Sequence, residues 1–413
     1  MKLQRPRGTR DFLPEEMRGR RFVEGIMRDL AERWGYEEIK TPTFESTELF
    51  TIKSGEGIIE EIYSFKDKGG RDIALRPELT APVIRMYVDE MQVSPKPIKL
   101  YYFDNCFRYE RPQMGRFREF WQFGVEIIAG KFPDSDCEVI ALASSMADAL
   151  GIEGRLHIGH LGVIRSILKD FDTDTQNAVL RLVDKKNEDE VREVLDGAGG
   201  VVDTLLEITR LSGDRSVIEA ARDLIGDDES LNELDLVLEM LSIYDVDSIV
   251  DFGIARGLDY YNGVVFEIYS DALGAQNQIC GGGSYALAAL FGGNDVVSTG
   301  FAFGFDRALE VCDLPVQKQL KVVVATTDDA RNEAIKIALR LREEVPAYLD
   351  LMRKGLKSQL AYANTIGASF TVIVGKKELA EGKVTLKNMY TEEQEMIDLD
   401  ECIRSIVSHK QGV

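Results

Sequence analysis

The sequence predicts an α+β protein, in which an antiparallel-sheet domain carries a helical insertion and is followed by a smaller α/β domain. Short segments of the first part alternate apolar and polar residues, an acidic middle stretch has helical periodicity, and strands alternate with helices near the end. The 413 residues also exceed what one hydrophobic core usually fills. We therefore expect a first domain over residues 1–318, an insertion over 165–250 within it, and a second domain over 319–413.

The first domain begins with a helix and continues with strands. Apolar residues at four-residue spacing predict a helix over Pro14–Trp34. Alternating segments predict strands at Glu37–Phe44, Ile73–Leu75, Ile98–Cys106, Glu119–Ile128, Ile254–Ile268 and Gln278–Cys280, with a helix near Gly304. Because proline cannot donate a ladder hydrogen bond, Pro42 indicates that the first strand lies at an edge or an interface.

The insertion and the second domain differ in charge. Acidic residues outnumber basic ones by more than two to one between Arg165 and Val250, where leucine-rich patterns predict amphipathic helices. The two signs balance over 319–413, where segments at Lys321–Thr326, Ala347–Leu351 and Ser369–Val374 alternate with helices and predict a largely parallel sheet. Most of the formal net charge of -21 therefore lies in the insertion and does not exclude nucleic-acid binding elsewhere.

The composition argues against several classes of protein. No stretch approaches the roughly 18 apolar residues of a membrane helix, and the basic start MKLQRPRGTRDFLPEE lacks the apolar run of a secretory signal. The 5 cysteines are scattered without a CxxC, and only 3 histidines are present, which disfavours a zinc site. We expect a cytoplasmic protein with no membrane segment, no bound metal and no prosthetic group.

Two segments combine charged residues with strand patterns. LRPELTAPVIR contains Glu78 and Thr80, although by itself it is equally explained as the start of a helix. FRYERPQMGRFREFWQFGVEI predicts a strand, a turn and a returning strand, with guanidinium groups at the bend that suit phosphate oxygens. Gln122 and Glu126 should face the same side of the returning strand. A solvated basic hairpin would not explain why these two polar residues lie among apolar ones.

Two later segments point to a small-ligand site. In ARGLDYYNGVVFEIY and ICGGGSYALAALFGG, an arginine and two tyrosines precede a glycine run that would let a ligand lie against the backbone, although a flexible loop is the alternative. GFAFGFDRALEV predicts a strand entering a helix, with Arg307 in its first turns, where helix dipoles favour anions. No segment fits a phosphate-binding P-loop, so an ATP site would have to use arginines instead.

Taken together, these segments resemble the histidyl-tRNA synthetase family of class II aminoacyl-tRNA synthetases over nearly the whole chain. Its first motif is similar to IKTPTFE, its second to FRYE with the arginine-rich loop, and its third to GFAFGFDR. RGLDYY and GGGSYALAALFGG are similar to the two stretches that separate this family from other class II enzymes. The third motif usually has Glu before its arginine, whereas this chain has Asp306.

The resemblance implies a role for each matching residue. Catalytic groups would be Arg108 and Arg256 at the ATP α-phosphate and Arg307 at the γ-phosphate, with Glu110 also binding ATP. Histidine would be bound by Glu78, Thr80, Tyr102, Gln122, Glu126, Tyr260, Tyr261, Gly281, Gly282 and Gly283. The tRNA would contact Gln113 and Arg116 in the loop and Arg353, Lys354 and Lys357 in the second domain. For the last three, a solvated helix face is the alternative.

The implied reaction is activation of histidine by ATP with Mg²⁺ and transfer of histidine to tRNA(His), by a homodimer. Arginines and Mg²⁺ would stabilise the charge that develops on the phosphate oxygens. The nearest rival is a regulatory relative of ATP phosphoribosyltransferase, which as a rule lacks the C-terminal domain and often loses ATP-site arginines. A threonine, proline or glycine synthetase is disfavoured by RGLDYY, and a purely RNA-binding protein would not need a buried polar pocket.

Overall fold

The computed structural model describes residues 3–54, 56–109, 117–255, 260–314 and 319–410. The chain divides into two compact units, Met1–Leu314 and Pro315–Val413. Among the described residues, no helix combines the length and the apolar character that crossing a membrane requires.

The first unit contains twelve of the described strands and eleven of the described helices. The strands are β1 (Glu37–Glu38), β2 (Phe44–Ser46), β3 (Tyr63–Lys66), β4 (Asp72–Leu75), β5 (Ile98–Phe107), β6 (Glu119–Ile128), β7 (Arg155–His160), β8 (Ser212–Gly213), β9 (Ile249–Asp251), β10 (Tyr261–Tyr269), β11 (Gln278–Tyr285) and β12 (Ser298–Gly304). The helices are α1 (Pro14–Arg33), α2 (Glu48–Ser54), α3 (Thr80–Met86), α4 (Asp134–Ala149), α5 (Leu161–Ile167), α6 (Thr173–Asp184), α7 (Glu188–Val194), α8 (Gly199–Thr209), α9 (Val217–Ile225), α10 (Glu229–Ile243) and α11 (Phe305–Val311).

A nine-stranded sheet forms the centre of this unit, in the order β1-β5-β6-β12-β11-β10-β7-β9-β8. Every pair from β5 to β7 is antiparallel, whereas β1 with β5 and β7 with β9 are parallel. Met27 of α1 and Ile140 of α4 are buried with Phe123 of β6 in a shared core. The predicted α+β class with an antiparallel-rich sheet is therefore confirmed.

The predicted strand Glu37–Phe44 is wrong as one element, because it is divided into β1 and β2. Between them, the carbonyl oxygens of Thr41 and Pro42 accept hydrogen bonds from Arg76 Nη1 at 2.9 and 3.2 Å. Arg76 is fully buried and also binds the Asn105 carbonyl oxygen and the Asp104 carboxylate. The backbone around Pro42 thus satisfies a buried arginine, and β2 pairs with β4 in a separate three-stranded sheet, β2-β4-β3.

The acidic middle segment is helical, as its pattern predicts, and its helices α6 to α10 are followed by β9. The structure adds two short strands, β8 and β9, which extend the central sheet. His160 at the end of β7 accepts a hydrogen bond from the Gly162 N–H through Nδ1, so its Nε2 donates to Glu233 of α10 at 2.9 Å. Burial lowers the pKa of His160 to about 4, which keeps its imidazole neutral at pH 7.

The second unit has one mixed sheet. Its elements are β13 (Val322–Thr326), α12 (Arg331–Arg342), β14 (Ala347–Leu349), α13 (Leu356–Thr365), β15 (Phe370–Val374), α14 (Lys376–Ala380), β16 (Val384–Asn388), β17 (Gln394–Ile397) and α15 (Leu399–Lys410). In the order β14-β13-β15-β16-β17, the first three strands are parallel and the last two antiparallel. The predicted parallel part is present, and the antiparallel extension is a feature that the sequence analysis missed.

Candidate active site

A buried carboxylate lies on one face of the nine-stranded sheet. Glu126 of β6 is 1% exposed, and three hydroxyl groups contact it: Thr80 at 2.9 Å, Tyr102 at 3.3 Å and Tyr285 at 2.6 Å. Burial raises the pKa of Glu126 to about 8, against the hydrogen bonds from Tyr285 and Thr80, which lower it. This pocket therefore holds a group that can accept or donate a proton near neutral pH.

Two glycines make room for this cluster. A Cβ at Gly124 would overlap the Tyr102 ring. A Cβ at Gly300 of β12, which pairs with Glu126 of β6, would overlap the Glu126 carboxylate. Gln122 lies on the same face of β6, two residues before Gly124. As the alternation predicts, Gln122, Gly124 and Glu126 share one face of the strand.

The other residues assigned to histidine binding surround Glu126. Glu78 lies between β4 and α3, where its carboxylate accepts the Ala81 N–H at 3.2 Å, and burial raises its pKa. Tyr260 and Tyr261 are buried, with ring centroids 4.7 Å apart, and the Tyr260 ring is 5.6 Å from that of Tyr285. Gly282 packs so tightly that a Cβ would overlap the Gly300 carbonyl oxygen, so close sheet packing alone requires this glycine.

Next to this pocket, a cavity of about 240 Å³ brings two of the predicted arginines together. Arg108 and Arg307 both line it, with Gln122 and Gly281. Arg108 Nε donates to the Pro77 carbonyl oxygen at 3.0 Å, and its guanidinium carbon lies 5.2 Å from the centroid of the Phe120 ring. Arg307 Nη1 donates to the Gln278 carbonyl oxygen at 2.8 Å. The cavity therefore presents positive charge beside the polar pocket.

Asp306, the residue that departs from the usual third motif, also lines the cavity. Its carboxylate accepts Arg20 Nη1 at 2.6 Å and the Trp121 N–H at 2.9 Å, and it forms an ion pair with Arg10 at 2.7 Å. Two arginines outside the cavity lining thus neutralise this aspartate. Its short side chain links α11 to β6 through the hydrogen bond with the Trp121 N–H.

Seven predicted residues lie outside the described residues or in the second unit. Arg256, Glu110, Gln113 and Arg116 lie outside the described residues. Arg353, Lys354 and Lys357 belong to the second unit, where all three are exposed. Sequence reasoning missed Tyr285, the third hydroxyl on Glu126, although GGGSYALAALFGG contains it; it also missed Arg10 and Arg20. Among the described residues, no group of three or more His, Cys, Asp or Glu side chains is placed to hold a metal ion.

Comparison with known proteins agrees with this architecture. The family profile of histidyl-tRNA synthetase matches residues 8–308, and that of the anticodon binding domain matches residues 314–409. A histidine–tRNA ligase of Methanosarcina acetivorans is 51% identical over 99% of this chain and 100% of its own length. One of Archaeoglobus fulgidus is 49% identical over 97% and 98%.

Solved structures give the same result. Apo histidyl-tRNA synthetase of S. aureus superposes with a TM-score of 0.77 at 32% identity, covering 98% of this chain and all of the other. A Bacillus halodurans C protein, described as an ATP phosphoribosyltransferase regulatory subunit/histidyl-tRNA synthetase, has a TM-score of 0.78 at 27% identity, covering 91% and 99%.

The antiparallel sheet and the C-terminal domain define a class II aminoacyl-tRNA synthetase. Within that class, the full-length matches are specific to one amino acid. The chain belongs to the histidyl-tRNA synthetase family.

Proposed function

We propose that this histidine–tRNA ligase activates histidine with ATP in the cavity between Arg108 and Arg307 and then transfers it to the 3′ end of tRNA(His). The observation that carries the proposal is the position of this cationic cavity beside the Glu126 pocket on one sheet. The pocket suits an imidazole and the cavity suits a triphosphate. One site can therefore hold the two reactants of an adenylate-forming reaction.

In the proposed activation step, the histidine carboxylate attacks the α-phosphorus of ATP and pyrophosphate leaves. Arg108 and Arg256 bind the α-phosphate, Arg307 binds the γ-phosphate, and Glu110 contributes to nucleotide binding. Glu78, Thr80 and Gln122 hold the α-amino group, while Glu126 and Tyr261 bind the imidazole. The nucleotide enters as its Mg²⁺ complex, in which Mg²⁺ neutralises part of the phosphate charge. Negative charge that develops on the phosphate oxygens is stabilised by guanidinium groups already in place.

ATP–pyrophosphate exchange with each of the twenty amino acids, without tRNA, tests this function. We expect exchange with histidine alone, because a pocket that hydrogen-bonds the imidazole leaves its own polar groups unpaired with an apolar amino acid. Exchange with a different amino acid would contradict the pocket assignment. Binding of histidine without any exchange would favour a regulatory, non-catalytic protein.

We propose that the enzyme is a cytoplasmic homodimer whose interface includes the three-stranded sheet. The pairing of the three strands places five large side chains on one face of this sheet, because opposite residues and every second residue share a face. They are Phe44, Tyr63, Phe65, Ile73 and Leu75. Phe44 and Phe65 are 56% and 49% exposed. An apolar face of this kind is typical of a protein interface. A second copy of the chain is its proposed occupant.

Light scattering after size-exclusion chromatography should give about twice the mass of one chain. The double variant Phe44→Asp with Phe65→Asp should elute as a monomer, because burying two carboxylates in an apolar interface is costly. Leu236→Asp, at an exposed position of α10, is the matched control and should remain dimeric. A wild-type monomer at micromolar concentration would contradict the proposal.

We also propose that Arg353, Lys354 and Lys357 bind tRNA phosphates. Arg353 and Lys354 lie in the loop before α13, and Lys357 lies in the first turn of that helix. The loop is held in place, since Asp350 accepts the Lys354 N–H at 2.8 Å and the buried Gln359 donates to the Lys354 carbonyl oxygen at 2.5 Å. Gln359 also bonds both backbone groups of Thr326. The three cationic side chains thus extend from a fixed backbone.

Replacing all three with alanine should weaken tRNA binding about tenfold at low salt. It should also reduce the magnitude of the slope of log K against log salt by roughly 2–3, since each lost phosphate contact removes roughly 0.7–0.9. Filter binding over a salt series measures both. Lys376→Ala with Lys377→Ala removes two exposed lysines from the same unit and is the control. An unchanged slope in the triple variant would mean that this surface is only solvated.

A further inference from the structure

The segment of residues 5–13, which precedes α1, lies against the cavity and has no role in the function proposed above. We call it the N-terminal strap. The Gly8 carbonyl oxygen accepts the Arg118 N–H at 2.9 Å, and Gly8 has φ +86. A Cβ at Gly8 would lie 2.8 Å from Arg118 Cγ, so both its backbone conformation and the space around it require glycine.

Arg10 joins the strap to two walls of the cavity. Its guanidinium carbon lies 3.4 Å from the centroid of the Phe117 ring, and its Nη2 lies 2.7 Å from Asp306 Oδ1. Both Phe117 and Asp306 line the cavity. The contact with Phe117 is a cation–π interaction and the contact with Asp306 is an ion pair. One side chain therefore links the residue that follows the arginine-rich loop to α11.

The strap also contacts the third wall, β6. The Phe12 ring packs edge-on against Trp121, with centroids 5.4 Å apart, and the Trp121 N–H is bound by Asp306. Arg20 of α1 approaches the same two aromatic rings, at 4.1 Å from Phe12 and 4.8 Å from Trp121. Strap, strand and helix thus converge on the Asp306 carboxylate.

Two of the arginines proposed to bind phosphate, Arg108 and Arg307, are each one link away from these contacts. The Arg108 N–H donates to the Arg118 carbonyl oxygen at 3.1 Å, and Arg118 is the residue that Gly8 holds. Arg307 follows Asp306 directly on α11. The strap therefore contacts the backbone neighbour of one arginine and the sequence neighbour of the other.

We propose that the N-terminal strap is an ATP-positioning element in which Arg10 sets the separation of Arg108 and Arg307. Arg10 is a positioning residue, since it acts through Phe117 and Asp306. Its role is separable from folding: Asp306 keeps Arg20 and the Trp121 N–H when Arg10 is removed, and the Arg10 side chain is 24% exposed. This inference rests on the proposed ATP site.

Steady-state ATP–pyrophosphate exchange with Arg10→Ala tests the strap. We expect the KM for ATP to rise about tenfold and the KM for histidine to change less than about twofold, because small displacements of phosphate-binding groups have large effects on the reaction. The melting temperature should fall by no more than about 3 °C. Arg10→Lys keeps the charge beside Asp306 but loses the planar group over Phe117, and it should lie between Arg10→Ala and wild type.

Arg5→Ala is the matched control, because Arg5 belongs to the same strap but pairs with the exposed Asp11 at 3.2 Å. It should behave as wild type. If Arg10→Ala equals Arg5→Ala, or raises both KM values equally with a large loss of melting temperature, the positioning role is wrong. If wild type gives no exchange with histidine, the proposed function fails instead, so the two failures are distinguishable.

Discussion

Replacing Arg108 with alanine is expected to lower the rate of histidine-dependent ATP–pyrophosphate exchange by about 10³-fold, the upper range for losing one preorganised group that stabilises developing negative charge. Arg108 is half-buried, and its Nε is already bound to the Pro77 carbonyl oxygen, so little reorganisation is needed when the nucleotide binds. Histidine affinity, measured by calorimetry without ATP, should change less than about threefold, since the residues assigned to the imidazole do not include Arg108.

Two variants separate this role from a general effect of charge. Arg108→Lys keeps the positive charge but loses the planar fork and its place over Phe120, and it should recover only part of the lost rate. Arg155→Ala removes an exposed arginine that pairs with Asp271, and it should leave the rate unchanged. A normal exchange rate in Arg108→Ala would remove Arg108 from the phosphate site.

The strands that frame the site could be predicted because their sequences alternate. The prediction for Glu119–Ile128 matches β6 at both ends, and the prediction for Ile98–Cys106 is one residue short of β5. The strand β7 was missed because its sequence, RLHIGH, contains charged and polar residues and its apolar pattern is short. β16 and β17 were missed for a related reason, since at least half of the residues in Val384–Asn388 and in Gln394–Ile397 are polar. Pattern alone is weak for short strands, because strand preference depends on the neighbours against which the side chains pack.

Within the site, the residues that could be predicted are those whose type conflicts with their surroundings. Glu126 and Gln122 are polar among apolar neighbours, and such a conflict indicates a function. Tyr285 creates no such conflict, because tyrosine is common in strands. Its contact with Glu126 depends on the register in which Gly300 of β12 pairs with both Gly283 and Glu126.

Asp306 shows a second limit of prediction from the sequence. The motif places it next to Arg307 and leaves its role open, because Arg20, its closest partner, lies 286 residues away in the chain. Only the folded packing of α1 against α11 shows that this carboxylate binds two arginines and a backbone N–H. Long-range ion pairs of this kind leave no periodic pattern in a single sequence.

Replacing Glu126 with glutamine is expected to weaken histidine binding about 10²-fold at pH 7, since a hydrogen bond to a charged group contributes roughly 1.5–3 kcal/mol. Glutamine has nearly the same shape and can still contact the hydroxyls of Thr80, Tyr102 and Tyr285. It cannot exchange a proton with an imidazole. The variant therefore removes the carboxyl group that shares a proton with the imidazole, while the cluster keeps its packing.

Asp136→Asn is the matched control, because Asp136 is also a buried carboxylate whose pKa burial raises, and it binds Ser284 of β11. It lies on α4, outside the set of residues assigned to histidine, so histidine affinity should change less than about threefold in this variant. Equal losses in both variants would mean that removing either buried carboxylate acts through the fold, and that Glu126 has no special part in recognition.

The pH dependence gives the sharper test of Glu126. We propose that the complex holds one proton between Glu126 and the imidazole. Because the pKa of free Glu126 is about 8, wild type must take up a proton to bind histidine above pH 8, and its affinity falls about tenfold per pH unit there. Glu126→Gln binds the neutral imidazole without taking up a proton, so it lacks this loss.

The readout is the ratio of wild-type to Glu126→Gln affinity, since the α-amino group and the imidazole of free histidine titrate equally in both measurements. Below the imidazole pKa of about 6.5, each protein releases one proton on binding, and between 6.5 and 8 neither gains or loses one. The ratio should therefore be constant from pH 6 to about 8 and then fall about tenfold per unit. A ratio that stays flat to pH 9.5 would show that Glu126 does not share a proton with the bound imidazole.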